Sequence, residues 1–159
     1  MLREQLVDIA VFKRQKVAGV TADEFDEDGE LELMHKLVPV STLSRCLITA
    51  TELTSDCMIV SEKPDVVLVN YNNYGYARMR FNHDTQQHLL ENLRYMTDVP
   101  MRTYIWRTFK DMVQYNQLSV KDWFKLISNN LKFETEEQTL AVILQEILKT
   151  WKYGLFNED

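Results

Sequence analysis

Hydrophobic positions follow two rhythms along this chain, and the change comes near residue 82. Before it, apolar residues alternate or cluster in short blocks, as strands require. Residues 6–13, LVDIAVFK, alternate loosely and are rich in Val, Ile and Phe, which predicts a strand. Residues 30–40 set Leu31 and Leu33 against Glu30 and Glu32, and Pro39 marks the end of that strand as an edge or an exit. Leu47 and Ile48, then Met58, Ile59 and Val60, suggest two more short strands around a polar stretch at 52–56. Val66, Val67, Leu68 and Val69 form a buried-strand block. Residues 70–75, NYNNYG, tolerate turns and positive φ. Alternation then resumes, with Tyr76, Arg78 and Arg80 on one face and Ala77, Met79 and Phe81 on the other. Strand, glycine-bearing turn and strand predict a hairpin. About six short strands separated by polar turns predict an antiparallel β-sandwich over residues 1–82.

After residue 82 the period becomes helical. Asn82 or Asp84 can cap a helix carrying Leu89, Leu90, Leu93 and Met96. Asp98 and Pro100 open a second, with Met101, Ile105, Phe109, Met112 and Val113 in one stripe. Ser119 caps a third, with Asp122 at the capping-box position although it is shorter than the usual Glu or Gln. Its stripe is Val120, Trp123, Phe124, Ile127 and Leu131. Thr135-Glu136-Glu137-Gln138 fits the capping box better and opens a fourth helix, expected to bury Leu140, Ile143, Leu144, Ile147, Leu148 and Trp151. Four amphipathic helices with short connections predict helical hairpins in a HEAT-like array over residues 83–159. The fold class is therefore α+β: an N-terminal antiparallel sandwich, then an all-α array. Such an array of two hairpins would leave an apolar end face, so further helices are expected beyond it.

Charge narrows the partners. The 159-residue chain has a formal net charge of −6 and no basic block, so nucleic acid is an unsuitable partner. No run of eighteen apolar residues is present, so no membrane span is expected. The first fifteen residues carry Arg3, Glu4 and Asp8 and lack the uninterrupted apolar core of a secretory signal. Without that signal, Cys46 and Cys57 are expected to be reduced and buried, in a cytoplasmic protein.

Candidate chemistry is sparse. The acidic stretch 19–29 lacks the D-x-D-x-D-G spacing of a calcium loop. His35, His83 and His88 form no H-E-x-x-H, and no G-x-S-x-G, Walker loop or G-x-G-x-x-G occurs. No catalytic and no metal-binding residue is assigned. Tyr71, Tyr74 and Tyr76 with Arg78 and Arg80 could form an aromatic-basic platform for nucleic acid. The acidic net charge favours a packing face instead, with Tyr76, Arg78 and Arg80 at a domain junction. Trp106, Trp123 and Trp151 read as helix-packing residues.

The stretch PDVVLVNYNNYGYARMRFNHDT resembles the end of the β-sandwich domain in zinc aminopeptidases of the aminopeptidase N type. Leu68, Val69 and Asn70, then Tyr76, Ala77, Arg78 and Met79, carry the likeness, and Ala77 makes it closest to the actinomycete bacterial branch. Pro100, Arg102, Trp106, Phe109 and Met112 resemble the first helical hairpin of that family's C-terminal domain, and Leu118-Ser119 and Glu134-Thr135-Glu136 precede helices in the same pattern. The resemblance covers residues 7–148. It implies a multidomain exopeptidase that removes N-terminal residues from peptides with zinc held by H-E-x-x-H and a downstream glutamate. Neither that motif nor G-x-M-E-N is in this chain, so no catalytic residue carries over. The implied role is the non-catalytic portion: a scaffold for the catalytic domain and a bowl enclosing peptide substrates. The alternative is a free-standing interaction module without peptidase activity; a third reading is a helical-repeat scaffold unrelated to peptidases.

Overall fold

The computed structural model describes residues 5–17, 35–48, 62–73, 75 and 78–152. Three strands lie among them: β1 (Gln5–Lys16), β2 (His35–Ile48) and β3 (Val66–Val69), in a single antiparallel sheet of order β2-β1-β3. Four α-helices follow: α1 (His83–Asn92), α2 (Val99–Gln114), α3 (Val120–Asn130) and α4 (Glu137–Lys152). Short 3-10 turns occupy Leu93–Tyr95 and Leu131–Phe133. The chain is thus mixed α+β. It divides into two compact units, Met1–His88 with Tyr95–Thr97, and Leu89–Arg94 with Asp98–Asp159.

In the first unit β1 is central, and Val7, Ala10, Val11 and Phe12 are buried. Two register shifts interrupt the β1–β2 ladder, with the extra residue on β2 in both. At one, Val11 pairs with Ser41 and Phe12 with Pro39, leaving Val40 as the extra residue. Pro39 has no N–H to give the ladder, so a bulge on an edge strand is where it fits. The strand expected to end there continues to Ile48 and absorbs the separate strand read at Leu47 and Ile48. At the other shift, Val7 pairs with Cys46 and Ile9 with Leu43, so Ser44 and Arg45 oppose Asp8 alone. Arg45 adopts φ 61°, and its N–H turns to the Asp8 carboxylate at 2.8 Å.

The hairpin is a correction. β3 matches the Val66–Val69 block, but its antiparallel partner is β1, with Ala10 opposite Leu68. Residues 78–82 form no strand. The turn after β3 diverts the chain. The Asn70 side chain accepts from Gly75 N–H at 2.8 Å and donates to Gly75 O at 2.9 Å. Asn70 and Asn73 take φ 60° and 56°, which the short Asn side chain tolerates. The expected alternation survives without a ladder: Arg78 and Arg80 are exposed, Met79 is half-buried and Phe81 is buried. The acidic stretch 19–29, the strand residues 30–34 and the strand read at 58–60 lie outside the described residues. A second correction concerns the thiols: Cys46 is disulfide-bonded, and the chain's other cysteine is Cys57.

The helices start where the sequence says. Asn82 accepts from Thr85 N–H at 2.9 Å, and Asp98 accepts from Met101 N–H at 3.0 Å. All five residues of the α2 stripe are buried, with Ile105 and Phe109 fully so. Ser119 caps α3 through Asp122 N–H. Asp122 answers with its carboxylate on the Ser119 hydroxyl at 2.7 Å. α2 ends in a Schellman turn: Asn116 at φ 56° donates to Val113 O, and Gln117 N–H reaches Met112 O. No helix among the described residues is long and apolar enough to cross a membrane.

Candidate functional site

Two polar clusters and one apolar face stand out, each within a single unit. In the sheet unit, Asp8 is the hub. Besides Arg45 N–H, its carboxylate accepts Asn72 Nδ2 at 2.6 Å, and its backbone O accepts Tyr71 N–H at 2.8 Å. These bonds tie the β1–β2 bulge to the turn after β3. The Arg45 N–H first, then Asn72, hold the Asp8 carboxyl below its usual range, against a small opposing effect of burial. In the same unit, Lys63 and Asp84 form an exposed ion pair at 2.7 Å that raises the lysine and lowers the carboxylate.

In the helical unit the hub is Glu134, whose side chain is 2% exposed. It accepts from Arg102 Nε at 2.9 Å and Nη2 at 3.0 Å, a bidentate pair, and from Trp106 Nε1 at 3.1 Å. It also accepts from the N–H groups of Thr135 and Glu136. Burial alone would raise this carboxyl; Arg102, the Glu136 N–H and Trp106 together outweigh it and hold it low. Glu134 thus takes the N–H bonds at the mouth of α4 that the Thr135 capping box was expected to serve. Further polar contacts join α2 to α4: Thr103 Oγ1 to Thr139 Oγ1 at 2.7 Å, and Gln114 Nε2 to Glu146 Oε2 at 3.1 Å. Both sets of numbers rise together, so α2 and α4 run in the same direction. Asn130 closes α3 against the end of α1, donating to Leu90 O and accepting from Arg94 N–H.

These contacts turn α4 away from the expected orientation at two positions, Leu144 and Leu148, while Ile143 is buried as expected. Thr139, Ile143, Glu146 and Thr150 are its buried residues. Leu144 is 52% exposed and Leu148 68%. The stripe read from the sequence was real, but two of its leucines face outward, because the side toward α2 is the polar one. Leu140 and Ile147 lie half-buried at its edge, and the Trp151 side chain falls outside the described residues.

The junction face read from the sequence is only partly within the described residues. Arg78 and Arg80 are exposed, whereas Tyr76 lies outside the described residues. Trp106 and Trp123 do pack in the helical core, edge to face at 5.9 Å. Among the described residues no three His, Cys, Asp or Glu gather where they could hold a metal ion. His35 stacks edge-on to Tyr95 at 5.9 Å, and His83 is exposed at the start of α1. Sequence reasoning missed Glu134, Glu146 and Asn116. A signal existed for the first two: acids spaced at 134 and 146, aligned with Arg102 and Gln114 on the preceding parallel helix.

Compared with protein-family models and with curated proteins, the sequence matches none.

Proposed function

We propose that this chain is the non-catalytic C-terminal portion of a zinc aminopeptidase, acting as scaffold and as part of a bowl that encloses peptide substrates. The reading rests on the sequence resemblance over residues 7–148. The observation that best supports it is the polar ladder between α2 and α4. Parallel neighbours separated by one antiparallel helix are what stacked helical hairpins produce, so the ladder favours a HEAT-like array. A second sheet completing a β-sandwich belongs to the same proposal. Zinc, the catalytic residues and the substrate side-chain pocket then belong to the parent protein's catalytic domain, which is the expected partner of this chain. Tyr76, Arg78 and Arg80 would mark a domain junction, with the helices of this chain or with that catalytic domain.

The exposed leucines of α4 favour a second reading, a free-standing interaction module without peptidase activity. A coding sequence carrying H-E-x-x-H upstream of Met1 supports the first reading; a promoter and stop codon there support the second. Cytoplasmic location was inferred from the N-terminal pattern, and the disulfide at Cys46 weighs against it, because such bonds persist in oxidising compartments. The function test is direct. The purified 159-residue chain should bind no stoichiometric zinc and hydrolyse no aminoacyl amide; robust metal-dependent cleavage refutes the proposal.

A further inference from the structure

The outer face of α4 has a composition that fits one partner in particular. Positions 137, 141, 144, 148 and 152 follow one line along the helix, at spacings of four, three, four and four. They read Glu, Ala, Leu, Leu, Lys. Glu137, Ala141, Leu144 and Leu148 are all exposed. The helix cannot turn these leucines inward without breaking the Thr103–Thr139 and Gln114–Glu146 contacts that hold its polar side. The face must therefore be covered from outside or stay wet.

We propose that a second copy of this chain covers it, antiparallel, about a two-fold axis beside Leu144. The sequence along the line is self-complementary in that arrangement. Glu137 opens the helix of one copy where position 152, a lysine, closes the helix of the other. Ala141, small, comes opposite Leu148, large. Leu144 meets Leu144 at the centre. A parallel pairing would instead set Glu137 against Glu137, opposing like charges. Charge selects the antiparallel form, which is the isologous contact a closed dimer needs.

The interface is small. A 16-residue helix is roughly 24 Å long, and one such pair buries well under the ~1,600 Å² of a standard interface. The dimer is therefore weak, with a dissociation constant on the order of 10 μM. The inference does not depend on the peptidase reading.

Sedimentation velocity of the full 159-residue chain, from about 1 to about 300 μM, tests it. A monomer–dimer equilibrium is expected within that range. Leu148→Asp should weaken it at least tenfold while leaving the circular dichroism and melting curve unchanged, since the residue is exposed in the monomer. Glu137→Lys should weaken dimerisation, and Glu137→Lys with Lys152→Glu should restore it. A chain that stays monomeric throughout overturns the proposal. So does a Leu148→Asp chain that dimerises as well as the parent, or a charge swap that fails to restore association.

Discussion

Asp8 and Glu134 do the same job in the two units under opposite conditions. Each is a carboxylate that gathers N–H groups from separate segments, and each is held below its usual pKa. Asp8 works in water, where solvent competes for every bond it makes. Glu134 works behind Trp106 and the α2–α4 contact, with a bidentate arginine that is itself only 12% exposed. In water such a hub sets local geometry, here the bulge at Arg45. In the interior it sets stability, because removing it takes a buried bidentate acceptor from Arg102 and Trp106. The sheet unit is accordingly held by β1 and by a covalent bridge at Cys46, the helical unit by its apolar core together with Glu134 and the part-buried α2–α4 polar contacts.

The largest effect should come from Glu134→Gln. The change removes the carboxylate of the bidentate Arg102 pair and should cost about 3 kcal/mol in urea unfolding. The pH dependence has a definite sign. Glu134 is depressed in the folded state, so its stabilisation is complete above the ordinary carboxylate range and disappears as pH falls through its lowered value. Unfolding midpoints of the parent should fall with acid over that window more steeply than those of Glu134→Gln.

Reducing the disulfide, or Cys46→Ser, should cost the sheet unit about 2 kcal/mol. Melting with and without reductant reads the loss, and hydrogen exchange should confine it to β1, β2 and β3. Equal loss of protection in α2 and α4 would erase the contrast between the units. Ser119→Ala removes the α3 cap and should cost about 1 kcal/mol, seen as a lower melting temperature. Asp8→Asn should have the smallest effect: global stability close to the parent, with faster exchange confined to the Arg45 amide. A large global loss there would mean that exposure does not separate the two hubs.

The starts of α1, α2 and α3 and the α2 stripe were readable, and the reason is local; the α3 stripe was readable only in part, with Trp123 and Ile127 buried but Val120, Phe124 and Leu131 half-buried. Caps such as Asn82, Asp98 and Ser119, and the α2 stripe, are decided within a turn or two of chain. What could not be read was decided by distant partners. Periodicity locates a stripe on α4 but not the side facing α2; Thr139 and Glu146 settled that by meeting Thr103 and Gln114. Likewise, residues 78–81 carry period two because they lie half on a core, which an irregular segment does as well as a strand. Only pairing distinguishes them, and β3 had already found β1. The junction role of Tyr76, Arg78 and Arg80 came from the resemblance and the charge pattern, and exposure of the two arginines accords with a surface role. The thiols were misjudged for a different reason: bond formation depends on distance and compartment, and spacing along the chain encodes neither.

The central claim is that α4 turns its polar side in and its leucines out. Hydroxyl-radical footprinting of the chain, read by mass spectrometry below about 1 μM so that any dimer is dissociated, measures this side by side. Leu144 and Leu148 should label readily while Ile143 stays protected. Protection of the two leucines equal to that of Ile143 would contradict it.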